Sequence, residues 1–432
     1  MAILLKNGFC LNGHNEWVAT DLLIEDGKIR AKGLALEDVR INGHLEIIDC
    51  ADKLIAPGFV DVHVHFREPG FTHKETIQTG SLAAARGGFT TVCAMPNLDP
   101  VPDNVSDFLD IEQRIEKDAV IDVRQYAPIT KSLRSETLVD MAALKEAGAF
   151  AFTNDGVGVQ TAGTMYLAMK KAKELEMSIV AHTEDESLLF GGCMHHGTQS
   201  KKLGLPGILS ATESSQIARD CLLAEETGVH YHVCHVSTKE SVRVIRDAKR
   251  AGVNVTAEVC PHHLILTDAA ITSDNSQFKM NPPLRAEEDR LALIEGLLDG
   301  TIDCLATDHA PHHADEKALS MTEAPFGIVG SETAFALMNH HFVKTGIFTL
   351  QQVIDWLTYK PARLFKLPVG TLDIGARADI TVLDVEKQYE INEQDFASKS
   401  HNTPFLNQTV TGQVLYTFSN GQKVWDEQEE RS

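Results

Sequence analysis

The sequence is poor in positive charge: 39 lysines and arginines stand against 61 aspartates and glutamates, for a formal net charge of −22. A surface that grips nucleic acid must neutralise phosphates with Lys and Arg, so nucleic acid is excluded as a partner, and an anionic membrane surface with it. Long apolar runs are missing as well, since no stretch approaches the ~18 residues that a spanning helix needs. The opening MAILLKNGFCLNG has no basic lead and only a short apolar run, so no secretory leader is expected. The eight cysteines lack CxxC or framework spacing, and Cys93, Cys234 and Cys304 sit inside apolar runs. Thiols scattered in this way read as reduced and buried, which fits a cytoplasmic protein. There is no internal repeat and no low-complexity segment.

What is present is a regular alternation. Eight short β-type runs recur along the chain with helix-type stretches between most of them: LIAPGFVDVHVH (54–65), FTTVCAMPN (89–97), VIDVRQYAP (120–128), AFAFTND (149–155), SIVAHTE (178–184), VHYHVCHVS (229–237), VNVTAEVC (253–260) and TIDCLATDH (301–309). Eight successive βα units predict an α/β fold, a closed (β/α)₈ TIM barrel over 55–368. The stretch KETIQTGSLAAARGG is predicted helical, with Gly87-Gly88 as its stop. Both chain ends, 1–54 and 369–432, read instead as β-strands joined by the hairpin dipeptides Asp26-Gly27, Asn42-Gly43 and Asn420-Gly421. Neither end has enough strands for a core of its own, so the two are expected to meet in a small β-sandwich. Residues 310–330 carry few helix or strand signals and read as a long, lid-like loop after the last strand.

Polar residues fall in one place on these runs. His63 and His65 are two apart and so share a strand face. Asp155 ends the fourth run, His182 lies near the end of the fifth, His235 ends the sixth, and Asp308 ends the eighth. All lie at C-terminal strand ends, where barrel enzymes build their active sites. A lone histidine in a strand is commonly a satisfied core residue. Six ionisable groups at matching ends of five strands are harder to explain structurally, because each would need a partner when buried. Four imidazoles and two carboxylates suit zinc or a similar divalent ion. Six ligands exceed one tetrahedral ion, and a carboxylate such as Asp155 can bridge two. His232 and the pair His262-His263 read as structural, and no cysteine has the histidine and asparagine that a thiol nucleophile requires.

Around these ligands stand groups able to grip a substrate. The Arg67 guanidinium can hold a carboxylate by two parallel hydrogen bonds. Asn97 ends the second run, Asn281 lies in the stiff segment KMNPPLR, and His312 follows Asp308 in the lid-like loop. The structural alternatives are an ion pair of Arg67 with Glu68 or Glu75, and turn or loop capping by the two asparagines.

Taken together, PGFVDVHVHFREPG, TTVCAMPN, AFTNDGVGVQ, KMNPPLR and ATDHAPH resemble the type I dihydroorotases of the amidohydrolase superfamily, along essentially the whole chain. The resemblance implies two zinc ions per chain: His63 and His65 on one, His182 and His235 on the other, Asp155 bridging, and Asp308 beside the first. Related hydantoinases bridge with a carbamylated lysine, but no lysine lies between Lys145 and Lys170. Asn154 stands where the subfamily carries an acidic residue. The implied activity is the reversible cyclisation of N-carbamoyl-L-aspartate to dihydroorotate in pyrimidine biosynthesis, with Asp308 moving the proton. By the same resemblance Arg67, Asn97 and His312 hold the α-carboxylate, Asn281 and the Phe326-Gly327 backbone contact the ring, and His65 and Phe66 adjoin the substrate. A homodimer, and association with an aspartate transcarbamoylase, are the implied assemblies. Two other readings compete: a hydantoinase or allantoinase, and an inactive scaffold subunit. A carboxylate-free hydantoin gives an arginine clamp nothing to neutralise, and a scaffold would be expected to have lost ligands that this chain retains.

Overall fold

The computed structural model describes residues 2–41 and 43–430, so Asn42 of the Asn42-Gly43 dipeptide lies outside the described residues. The two chain ends meet in one hydrogen-bonded sheet. Across it run Gln422–Asp426, Thr409–Ser419, Ile380–Glu390, Leu54–Pro57, Ala2–Leu11, Trp17–Glu25 and Lys28–Gly33, with Leu45–Asp49 paired to Ala2–Leu11. Asp26-Gly27 and Asn420-Gly421 all take positive φ, the left-handed turn that a two-residue hairpin needs. Ile3, Leu5, Leu22, Ile24 and Ile29 from one end pack on Ile380, Val382 and Phe418 from the other.

One boundary differs from the sequence reading. Leu54–Pro57, expected to begin the first barrel run, belongs to this terminal sheet, where Pro57 to Leu54 pair antiparallel with Ile380 to Leu383. The chain passes from sheet to barrel through Gly58, whose N–H donates to the Asp379 carbonyl at 2.8 Å. A Cβ there would lie 2.2 Å from Thr90 Oγ1, so the crossing requires glycine.

Beyond Gly58 the parallel strands close on themselves. Phe59–Val64, Phe89–Ala94 and Asp122–Gln125 form one arc; Phe152–Thr153, Ser178–Ala181, His230–Val233, Val255–Val259 and Cys304–Leu305 form the other. Parallel bridges join the arcs at both ends, Ala127 to Phe152 and Val64 to His309. The ring is filled by Val60, Val62, Cys93, Tyr126, Val180, Cys234 and Cys304. Helices pack outside; Ile77–Arg86, for example, starts at a Thr76 cap and stops at Gly87, burying Ile77, Ala83, Ala84 and Ala85. All eight cysteines are buried and unpaired. The loop 310–330 carries one short helix, Ala314–Lys317, and buries Ala310, Met321, Ala324 and Ile328 rather than standing open. Within it the Lys317 ammonium donates to the carbonyls of Lys279, Pro325 and Gly327 at 2.9–3.2 Å.

Candidate metal centre

His63 and His65 enter the ring beside the Val64–His309 bridge. Asp61 ties this closure: its carboxylate accepts from Thr307 Oγ1 (2.5 Å), the Thr307 amide (3.1 Å) and the His63 amide (3.1 Å). The pairing register shifts between Asp61 and Val64, which breaks strict alternation next to the site. His235, Asp308 and Arg67 have φ of 32°, 49° and 59°. Backbone in this region costs non-glycine residues on the order of 1–3 kcal/mol and persists only where surroundings enforce it.

The six residues converge. Asp155 lies at the middle, 3.3 Å from His63 Nε2, 3.5 Å from His65 Nε2, and 3.8 Å from both His182 Nδ1 and His235 Nε2. Asp308 Oδ1 is 3.0 Å from His65 Nε2 and 3.4 Å from His63 Nε2. His182 Nδ1 and His235 Nε2 face each other at 3.0 Å. All six side chains are buried. Burial alone would raise both carboxyls, but the surrounding imidazoles outweigh it and hold Asp155 and Asp308 well below the usual carboxylate range. Burial and the neighbouring imidazoles of His182 and His63 push His235 down to about 4, leaving it neutral and able to donate a lone pair.

The donor set fits divalent metal. His63 Nε2 and Asp155 Oδ1 are buried without a hydrogen-bond partner, although they lie beside one another. Such orphaned atoms are costly unless something binds them. Ligand atoms of His63, His65 and Asp308, and of His63, Asp155 and His235, lie within 4.8 Å of one another.

The HxH imidazoles are also oriented from behind. His63 Nδ1 meets Glu258 Oε1 at 2.7 Å, and His65 Nδ1 meets Asn97 Oδ1 at 2.9 Å, so each presents Nε2 to the cluster. Burial would raise the Glu258 carboxyl, yet His63 and His232 hold it down at about 2. Sequence reasoning missed Glu258, because a single acid in the apolar run VTAEVC shows no partner within reach along the chain. It missed Glu184 too, which lies 3.8 Å from His182 Nε2 and accepts from Asn281 Nδ2 at 2.5 Å.

Arg67 is buried, with Nε donating to the Pro311 carbonyl (3.2 Å) and one terminal nitrogen 3.3 Å from His312 Nε2. Burial lowers it to about 10, so it is charged at neutral pH. Among the described residues no carboxylate lies within 4 Å of it. Both structural partners considered for it are engaged elsewhere, Glu68 with Arg114 at 3.4 Å and Glu75 with His309 at 3.5 Å. A buried guanidinium without a counterion is costly until an anion pairs with it. His312 stays neutral, driven down by burial and by Arg67, Lys74 and Lys317.

Three more residues of the expected substrate set have partners within the protein. The Phe66 ring packs into the core against Gly80. The Phe326 carbonyl meets His312 Nε2 at 2.8 Å, and the Gly327 amide donates to the Lys279 carbonyl at 3.0 Å. Asn154 turns away from the cluster: it accepts from the amides of Ile129 and Thr130 and donates to Thr130 Oγ1 and the Leu133 carbonyl, at 2.7–3.1 Å.

A family model described as Dihydro-orotase-like matches residues 52–241. A dihydroorotase of Enterococcus faecalis is 63% identical over 428 residues, covering 99% of this chain and 100% of that protein. A dihydroorotase of Ligilactobacillus salivarius is 59% identical over 430 residues, with the same coverage. Among solved structures, an L-hydantoinase (dihydropyrimidinase) from Arthrobacter aurescens superposes with a TM-score of 0.86 at 25% identity, covering 98% of this chain and 96% of that one. A D-hydantoinase (dihydropyrimidinase) from a Thermus species gives 0.84 at 26% identity, with 98% and 95% covered.

Proposed function

This chain belongs to the dihydroorotase family, and we propose that its six-residue cluster is a two-zinc centre at which Asp308 moves the proton of the reaction. The protein is a cyclic-amide hydrolase that interconverts N-carbamoyl-L-aspartate with dihydroorotate and water. His63 and His65 would hold one ion, His182 and His235 the other, with Asp155 between them and Asp308 beside the first. The observation that supports this reading is Asp155, within 4 Å of all four imidazoles at once. A divalent pair supplies Lewis acidity for the carbonyl and acidifies water.

The chain's own residues do the rest. Arg67, with Asn97 and His312, binds the α-carboxylate, which gives the buried guanidinium its counterion. Asn97 spends its oxygen on His65, so its nitrogen is the atom that donates to the ligand. Asn281 reaches the ring from the opposite side, anchored by Glu184. Phe66 and the Phe326-Gly327 backbone complete the surroundings of the substrate.

In ring closure the ureido nitrogen attacks the side-chain carboxylate carbon. Asp308 takes the N–H proton and passes it to the departing oxygen, which leaves as water with a second proton from solvent. Ring opening reverses each step. The imidazoles around Asp308 keep its carboxylate ionised, so it has an oxygen free to receive the proton. The barrel that follows Gly58 and runs to 368 carries all of these residues, flanked by the terminal segments with Leu54–Pro57 among them. A homodimer, docking to an aspartate transcarbamoylase and a cytoplasmic location complete the reading, carried by family likeness.

Metal analysis of purified protein, coupled to turnover of dihydroorotate, hydantoin and allantoin, tests it. We expect about two divalent ions per chain, activity on dihydroorotate, and loss of that activity when the metal is stripped. Full turnover by a metal-free sample would overturn the centre.

A further inference from the structure

Behind His63 a line of hydrogen bonds runs down the inside of the barrel. Glu258 takes His63 Nδ1 on one oxygen (2.7 Å) and His232 Nε2 on the other (3.0 Å), and also accepts from the His235 amide at 3.2 Å. His232 Nδ1 meets Thr256 Oγ1 at 2.7 Å, Thr256 Oγ1 meets His230 Nε2 at 2.9 Å, and His230 Nδ1 meets Ser178 Oγ at 2.7 Å. An ionised carboxylate can only accept, and this sets the direction of every step. His232 gives its Nε2–H to Glu258, and with one proton on the ring its Nδ1 accepts the Thr256 hydroxyl proton. Thr256 then accepts from His230 Nε2–H, and His230 Nδ1 accepts from Ser178.

The line links opposite ends of the molecule. Ser178 and His230 are the first residues of their strands, and Thr256 is the second of its own, so they sit at the face opposite the ligand cluster. With Phe150, Phe365 and Lys366 they line a cavity of about 690 Å³ there. Glu258 and His232 are fully buried between the two faces.

We propose that His232 and Thr256 are positioning residues of the metal centre: through Glu258 they pin the His63 Nδ1–H and so keep Nε2 aimed at Asp155 and Asp308. The inference rests on the reading of His63 as a metal ligand. A network that merely filled the barrel would support stability and leave the set of His63 untouched.

The test uses the full chain and three variants. His232→Leu removes the donor to Glu258, His232→Gln keeps an N–H near the position of Nε2, and Thr256→Val removes the hydroxyl at nearly constant shape. Zinc affinity is read by chelator competition. The His63 Nδ1–H resonance is read by ¹⁵N-edited NMR on metal-free protein. His232→Leu should weaken zinc binding about 10–100-fold, the usual cost of losing a partner behind a ligand, and should shift or abolish the His63 resonance. His232→Gln should stay near the parent on both readings, and Thr256→Val should fall between. A folded His232→Leu with parental affinity and parental resonance would overturn the proposal, as would equal losses in the Leu and Gln variants. If His232→Leu does not fold, Thr256→Val decides by the same two readings. If His63→Ala keeps parental zinc affinity, the metal reading has failed on its own account. The resonance, which needs no zinc, then still decides the relay: unchanged in His232→Leu, it overturns the proposal.

Discussion

His63 and His65 each meet a fixed partner at Nδ1, whereas His182 and His235 meet one another. In the first pair Glu258 and Asn97 set the rings before any ligand arrives. In the second, His182 Nδ1 faces His235 Nε2 at 3.0 Å, and His182 Nε2 has only Glu184, 3.8 Å away. Two like lone pairs cannot face one another, so one ring must carry a proton between them until an ion displaces it. The contrast teaches that one cluster can hold a prepared half and a half that must adjust on binding. The prepared half is also the one beside Asp308.

The largest test asks whether that half carries the chemistry. Asp308→Asn should lower dihydroorotate turnover by about 10²–10⁴-fold, the range for a general acid–base group, while most of the bound metal stays. An asparagine can still offer oxygen to a metal but cannot shuttle a proton. Turnover within tenfold of the parent would separate proton transfer from the prepared half.

Next comes the anion pocket on the same side. Arg67→Lys should weaken turnover of dihydroorotate and carbamoyl aspartate by about 30- to 5000-fold, since stripping a buried carboxylate of its partner costs roughly 2–5 kcal/mol. An ammonium cannot reproduce the planar two-pronged bond. Any residual action on uncharged dihydrouracil should be spared. An equal loss on charged and uncharged rings would make Arg67 a support of the barrel mouth.

The comparison itself is sharpened by metal loss. Chelator should remove the ion at His182 and His235 first, with the half oriented from behind retaining its ion about 10–100-fold more tightly. His63→Ala should therefore lower zinc affinity more than His235→Ala, as read by titration with a chromogenic chelator. Equal affinities would erase the distinction between the halves.

The smallest effect lies one residue from Asp155. Asn154→Asp should destabilise the fold by about 1–3 kcal/mol, because a carboxylate cannot donate to Thr130 Oγ1 and the Leu133 carbonyl. Urea unfolding measures this, and metal content should not change. A changed metal content would show that position 154 acts on the cluster after all.

Much of this was legible in the sequence. The eight runs and the clustered polar side chains at their C-terminal ends follow from period-two patterning and from polar residues placed where apolar strands stop. The residues that orient those ligands were not legible. Glu258 serves His63 from far along the chain, and Asp61 closes the ring onto Thr307, so each looks like an isolated acid in an apolar run until the barrel is closed. The direction of Phe66 was hidden for a related reason, because the register shift beside His63 breaks the alternation that would have assigned its face. Leu54–Pro57 reads as continuous with the barrel strand that follows it; its pairing with Ile380–Leu383 and the approach of Thr90 to Gly58 show where one sheet ends and the other begins.

That crossing bears on how the chain is made. Leu54–Pro57 pairs with Ile380–Leu383, and Ile380–Glu390 emerges only after the whole barrel has been synthesised. Pairing between such distant segments is slow, and until it occurs the N-terminal strands present unsatisfied backbone N–H and C=O groups along an open edge. A ribosome-bound chain halted before residue 380 has that edge bare, which makes Leu54–Pro57 the place where premature pairing between two nascent copies would start.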